Sequence, residues 1–163
     1  MTEKEAMKLI GSAGRIELSG RNEYVLENTD REKLNAAIEW LRNNSEVPHK
    51  KDENGEESYL YDYPEELENI ADMFLEIFRK SQREAGKKIA YPGDPATRVV
   101  WLGTCASPET IVRYFIRMRR AENFSDGAFG YGVRDGLYLS MLLHLQDLMD
   151  YADAQKILKE SGN

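Results

Sequence analysis

Thiol and imidazole side chains are scarce in this 163-residue chain, which has one cysteine, Cys105, and two histidines, His49 and His144. A lone cysteine closes no internal disulfide, and three such residues make no zinc-binding pattern. An all-carboxylate metal site stays open in principle. Long apolar runs are missing as well. The longest, Leu137 to Leu145, is interrupted by Ser140 and His144, and a membrane span needs about 20 apolar residues. The first residues, Met1-Thr-Glu-Lys-Glu-Ala6, hold no basic stretch followed by an apolar one, so no secretory leader is read there. These absences predict a reducing, cytoplasmic setting, no membrane partner, and no metal or cofactor.

What is present is charge, unevenly placed. The net charge of −7 is a remainder. Residues 1–51 balance nine bases against nine acids, whereas residues 52–76 carry ten acids and no Lys or Arg. Residues 79–120 then carry ten bases and three acids, and residues 121–163 three bases and seven acids. Separation on this scale allows self-association between acidic and basic surfaces, or pairing within one molecule.

The apolar residues fall mostly at helical spacing. Thr2-Glu-Lys-Glu5 and Thr29-Asp-Arg-Glu32 both read as capping boxes. The second opens a helix with Leu34, Ala37, Ile38 and Leu41 on one face and Asn43-Asn44-Ser45 as its stop. Arg15-Ile-Glu-Leu18 and Glu23-Tyr-Val-Leu26, parted by Ser19-Gly-Arg-Asn22, alternate as a short β-hairpin near residues 15–26 would. Residues 45–58 read as a polar surface loop, and Tyr59–Tyr63 as extended. Pro64 suits a helix start, with Glu65, Glu66 and Glu68 at its beginning and Arg79, Lys80 and Arg83 at its end, as the helix dipole favours. Asp94-Pro95 and Ser107-Pro108-Glu109 mark two further starts, although a strand rivals the first helix. Leu137 to Met149 is apolar on nearly every side, as a central buried helix should be, and a short helix covers Ala152 to Lys159. The reading is a mainly α, single-domain fold of five to seven helices over residues 1–163.

The most distinctive run is Arg120-Ala-Glu-Asn-Phe-Ser-Asp-Gly127. As structure it is a helix-ending turn, with Phe124 plugging the core, Asp126 bonding nearby amides and Gly127 left-handed. As a site it brings Arg120, Glu122 and Asp126 to a ligand, with Arg113 and Arg117 on the same helical face as Arg120. Arg120, Glu122, Phe124, Asp126 and Gly127, with Gly136 nine residues on and Leu137, Leu142 and Leu145 after it, resemble the bacterial and phage DUF6508 domain family. The resemblance covers roughly residues 107–148, and the family's second arginine is Asn123 here. It implies a prokaryotic, phage or mobile-element origin and no particular activity.

Other constellations compete. Cys105 before a helix cap, with His144, is the pattern of a nucleophile and its base, but a histidine in an apolar run is more often a core residue with one hydrogen bond. Gly130-Tyr-Gly132 and Gly136 lack the strand that a dinucleotide fingerprint requires and read as turn residues. Lys87, Lys88, Arg98, Arg113, Arg117, Arg119 and Arg120 supply cations for nucleic-acid phosphates, with Tyr91, Trp101, Tyr114 and Phe129 nearby for stacking. The ten acids of residues 52–76 can neutralise that block internally or imitate a nucleic acid. The favoured reading is a small non-catalytic binding or regulatory protein with a protein partner or a second copy of itself. The alternatives are a small enzyme or ligand-binding protein built on Arg120, Glu122 and Asp126, and a nucleic-acid binder using residues 87–120.

Overall fold

In the computed structural model, which describes residues 1–12, 18, 20–80 and 92–162, the chain packs around one long helix. That helix, α8 (Leu137–Glu160), joins the two segments read separately as 137–149 and 152–159. Nothing in 150–152 breaks a helix, because neither glycine nor proline intervenes. Its buried residues Tyr138, Met141, Leu142, Leu145 and Ala154 are fully covered.

Around it stand α1 (Glu3–Ser12), α2 (Arg21–Asn28), α3 (Arg31–Asn43), α4 (Glu65–Lys80), α5 (Pro95–Thr104), α6 (Pro108–Ala121) and the single turn α7 (Tyr131–Arg134). Seven of these eight helices have eight residues or more, and α7 adds one turn to the expected five to seven. The fold is mainly α. No helix among the described residues is long and apolar enough to cross a membrane.

Most helix starts follow the local chemistry of the sequence. Thr2 and Glu5 exchange the two bonds of a capping box, at 2.9 and 3.1 Å. Asp94 caps α5 through the Thr97 amide, which makes 95–104 a helix rather than a strand. Ser107 caps α6 through the Thr110 amide, with Pro108 in the first turn. The start of α3 departs from expectation. Its cap is Asp30, which accepts from the Glu32 and Lys33 amides, while the Thr29 hydroxyl donates back to the Val25 carbonyl and closes α2.

The hairpin lies elsewhere than expected. Residues 21–28 form α2, which buries Val25 and Leu26 and is pinned to α6 by the Asn22 side chain accepting from the Glu109 amide. A strand of Glu23–Leu26 would give up that contact, so tertiary packing decides against the weak alternation. Residues 13–17 and 19, the rest of the expected hairpin, lie outside the described residues. The hairpin that does form occupies part of the expected polar loop: β1 (His49–Lys51) pairs antiparallel with β2 (Glu57–Tyr61). The Asp52 carboxylate accepts from the Asn54 and Glu56 amides, and Gly55 takes φ 78° at the tip.

The core runs from α3 and α4 through α6 to α8. An aromatic chain threads it: Phe115 meets Phe74 edge-on at 5.4 Å and Tyr138 at 4.7 Å, and Phe129 at 5.5 Å. Phe115→Ala is expected to cost about 3–5 kcal/mol in urea unfolding. Val100→Ala, at a side chain 64% exposed, should cost about 0.5 kcal/mol or less.

Candidate functional site

The α6 helix delivers its C-terminus to the distinctive run. Ile111, Val112, Phe115 and Ile116 bury one side, and the helix ends at Ala121. The chain then turns sharply, with the Ala121 carbonyl accepting from the Phe124 and Ser125 amides. Glu122 stands at the centre of this turn. One of its oxygens accepts from the Gly127 amide at 2.9 Å. The other accepts from the Phe129 amide at 2.9 Å and from the Tyr63 hydroxyl at 2.6 Å. One carboxylate thus ties together the end of α6, the 3₁₀ turn Ala128–Gly130 and the segment leaving the hairpin.

Burial alone would raise the Glu122 carboxyl. The Tyr63 hydroxyl, the Gly127 and Phe129 amides and the Arg119 charge outweigh it and hold the group below the ordinary glutamate range. Tyr63 is pushed the other way, by burial first and then by the bond to Glu122 and its charge. At neutral pH the pair is a phenol donor and a carboxylate anion, a structural clamp by its chemistry.

Beneath the clamp, Phe129 is fully buried against Tyr63 and Tyr138, and the Tyr138 hydroxyl donates to its carbonyl at 2.6 Å. Arg119 lies over the Phe129 ring at 5.4 Å and pairs with Glu68 at 3.3 Å. Gly127 has φ 86°, and a Cβ there would sit 2.4 Å from the Tyr61 ring. Gly132 likewise gives its space to the Tyr138 ring, 2.2 Å from where a Cβ would be. These contacts agree with reading the glycines as turn residues that permit close packing.

Phe124 corrects an expectation. It does not plug the core; it is 92% exposed. Phe129 fills the core instead, and Glu122 rather than Asp126 bonds the neighbouring amides. The sequence signal was there in outline, since Phe124 sits among Asn123, Ser125 and Asp126, whereas Phe129 lies between Ala128 and Gly130.

The five expected site residues are dispersed. Arg113 is mostly buried and lies 3.8 Å from Glu109, which Arg21 also holds at 2.8 Å. Arg117 and Arg120 are exposed on α6. The Arg120 guanidinium lies over the Phe78 ring at 5.7 Å. Glu122 is spent on the clamp. Asp126 is exposed and has no hydrogen bond or ion pair among the described residues. What the structure does gather is a different set. Asp72, Leu75 and Arg79 along α4 face Ile116, Arg119, Arg120 and Asn123 across a hollow of about 310 Å³.

The other constellations fare unevenly. A His144 ring nitrogen bonds the Ala106 carbonyl at 2.8 Å, the single core hydrogen bond foreseen, while Cys105 is exposed. Of the basic block, Arg98 donates to the Pro92 and Gly93 carbonyls, Arg119 is paired with Glu68, and Lys87 and Lys88 lie outside the described residues. Tyr114 and Phe129 are buried and so present no face for stacking; Trp101 is half-buried, and Tyr91 lies outside the described residues. A larger hollow of about 630 Å³ between α2 and α8 is flanked by Arg31, whose guanidinium is already bridged to Asp150 and Asp153.

Compared with known protein families, with curated proteins and with solved structures, the chain matches none.

Two substitutions probe the clamp. Glu122→Gln keeps the shape and removes the charge, and is expected to cost about 1.5–3 kcal/mol of unfolding free energy at pH 7. Because the folded carboxyl is depressed, its contribution is fully present above the ordinary glutamate value of about 4.3 and is lost as pH falls through the lower folded value. The variant should therefore show a shallower loss of stability on acidification than the parent. Gly127→Ala combines a left-handed backbone with a clash on the Tyr61 ring and should cost about 2 kcal/mol or more by chemical denaturation.

Proposed function

We propose that this chain is a small binding or regulatory protein, working in the cytoplasm of a bacterium or on a phage or mobile element. Its partner protein is recognised through the loop 122–127 and the arginines beside it. The observation that carries the reading is Phe124, a large aromatic ring 92% exposed on a loop fastened from beneath by Glu122. An aromatic side chain buries much area on binding and has few rotatable bonds to lose, which is why such residues anchor interfaces. Arg120 and Arg117 are exposed four and seven residues before it, and arginine is also enriched at interfaces.

Two considerations bear on the rival in which Arg120, Glu122 and Asp126 form a catalytic or ligand-binding trio. A general acid or base must have a proton site to offer, and both oxygens of Glu122 already accept structural bonds. Arg120 and Glu122 also engage different partners, the Phe78 ring and the Tyr63 hydroxyl. The bacterial or phage setting rests on the resemblance to DUF6508 over residues 107–148, and the cytoplasmic setting on composition.

The test is site-specific photocrosslinking in cells, with a benzophenone amino acid at position 124 and, as control, at Met7, which is 57% exposed on α1. A discrete adduct is expected at 124 and not at 7. In the purified pair, Phe124→Ala should weaken binding tenfold or more, while changing stability by no more than about 0.5 kcal/mol. Equal or absent adducts at both positions would contradict the reading.

A further inference from the structure

We infer that the hollow between α4 and α6 is an acidic-peptide site: it seats a partner segment that places one apolar side chain between flanking carboxylates. The inference rests on the proposed binding function and names the chemistry of the partner at that face. The hollow has an apolar floor and a basic rim. Ala71 and Ile116 are buried and Leu75 half-buried, whereas Arg79, Arg120 and Asn123 are exposed around them. This order arises from two helical stripes. Residues 71, 75 and 79 rise along one face of α4, and residues 116, 120 and 123 along one face of α6 and its exit, each at spacings of three or four.

The rim groups differ in how far they are committed. Arg119 reaches back to Glu68 near the start of α4 and is largely neutralised there. Arg120 reaches the other way, to the Phe78 ring near the end of α4, a contact that orients the guanidinium, and it has no carboxylate partner among the described residues. Arg79 and the Asn123 side chain have no hydrogen bond or ion pair among the described residues. Among the described residues, the only acid on the lining is Asp72. Two available guanidiniums and an amide therefore surround an apolar floor, with one opposing charge. Guanidinium forks pair with carboxylates in a fixed planar geometry, and a hollow of about 310 Å³ has room for a single large aliphatic or aromatic side chain rather than a folded element. Nucleic-acid phosphates would satisfy the rim but leave the floor without a partner, so the acidic peptide is the better match. Asn123, at the lip, immediately precedes Phe124, so the displayed ring follows the hollow by one residue.

The probe is a fluorescein-labelled, capped 14-residue peptide of Glu and Asp with Leu at two positions four apart, titrated with the full chain in anisotropy measurements at low and high salt. Controls are the same peptide with Leu→Ser and a 20-base-pair DNA duplex. Expected are salt-sensitive binding, a loss of fivefold or more on Leu→Ser, and similar losses for Arg79→Ala and Arg120→Ala. Asp72→Asn should tighten binding several-fold, an effect no packing role would produce. Arg134→Ala, an exposed cation on α7, should leave it unchanged. Arg79→Ala removes no hydrogen bond or ion pair within the described residues, so it tests the site even if Arg120→Ala perturbs packing on Phe78. The inference is overturned by no binding at about 1 mM, by equal loss with Arg134→Ala, by indifference to Leu→Ser, or by the duplex displacing the peptide at lower concentration. An adduct at position 124 with a silent peptide would defeat this inference and leave the proposed binding function standing. Absence of both would defeat the two together.

Discussion

One carboxylate ties three segments together at a single point. The Tyr63 hydroxyl, from the segment leaving the hairpin, and the Gly127 and Phe129 amides, from the turn beyond α6, converge on Glu122. An ionised acceptor makes shorter and stronger bonds than a neutral one, and here it accepts three. The arrangement succeeds because the surrounding groups are complementary. Tyr63 brings a hydroxyl that burial keeps protonated, Arg119 brings a compensating charge, and Gly127 brings a left-handed backbone with no side chain to displace the Tyr61 ring. Phe129 can then enter the core beside Phe115 and Tyr138, and the loop between, with Phe124 at its tip, is left on the outside.

The charge blocks acquire a specific meaning beside this clamp. Acids at the start of α4 and bases at its end suit the helix dipole. The acidic and basic blocks meet directly in the Arg119–Glu68 pair, and Glu76 and Lys80 pair along α4 itself. Internal pairing is thus real but incomplete. Arg79 and Arg120 are exposed on α4 and α6, the two helices that also frame the apolar hollow.

Helix starts were legible wherever one residue type does one job, as with Thr2 and Glu5, Asp94, and Ser107 before Pro108. The central helix was legible from its near-continuous apolar run. What the sequence concealed was chosen by competition between neighbouring elements and by distant contacts. Thr29 looks like a cap, but the helix before it claims the hydroxyl and Asp30 takes the cap. Residues 23–26 alternate weakly and become helical because α6 offers Asn22 a partner amide. The real hairpin was legible in part: Tyr59–Tyr63 reads as extended and β2 ends at Tyr61, whereas β1 is three polar residues inside the expected loop, with Asn54-Gly55 after Asp52 marking the turn. At the candidate site, Arg120, Glu122 and Gly127 were recognised as unusual. Which of them bind inward and which face out depends on Tyr61, Tyr63 and Phe78, all more than forty residues away in sequence.

The central claim is that ionised Glu122 fastens the loop through the Gly127 and Phe129 amides. The most direct measurement is an NMR pH titration that tracks the Glu122 side-chain carboxyl carbon together with the amide protons of those two residues. The carboxyl should titrate below the ordinary glutamate range, and both amides should move with the same midpoint. A midpoint at the ordinary value with both amides unmoved would contradict the account.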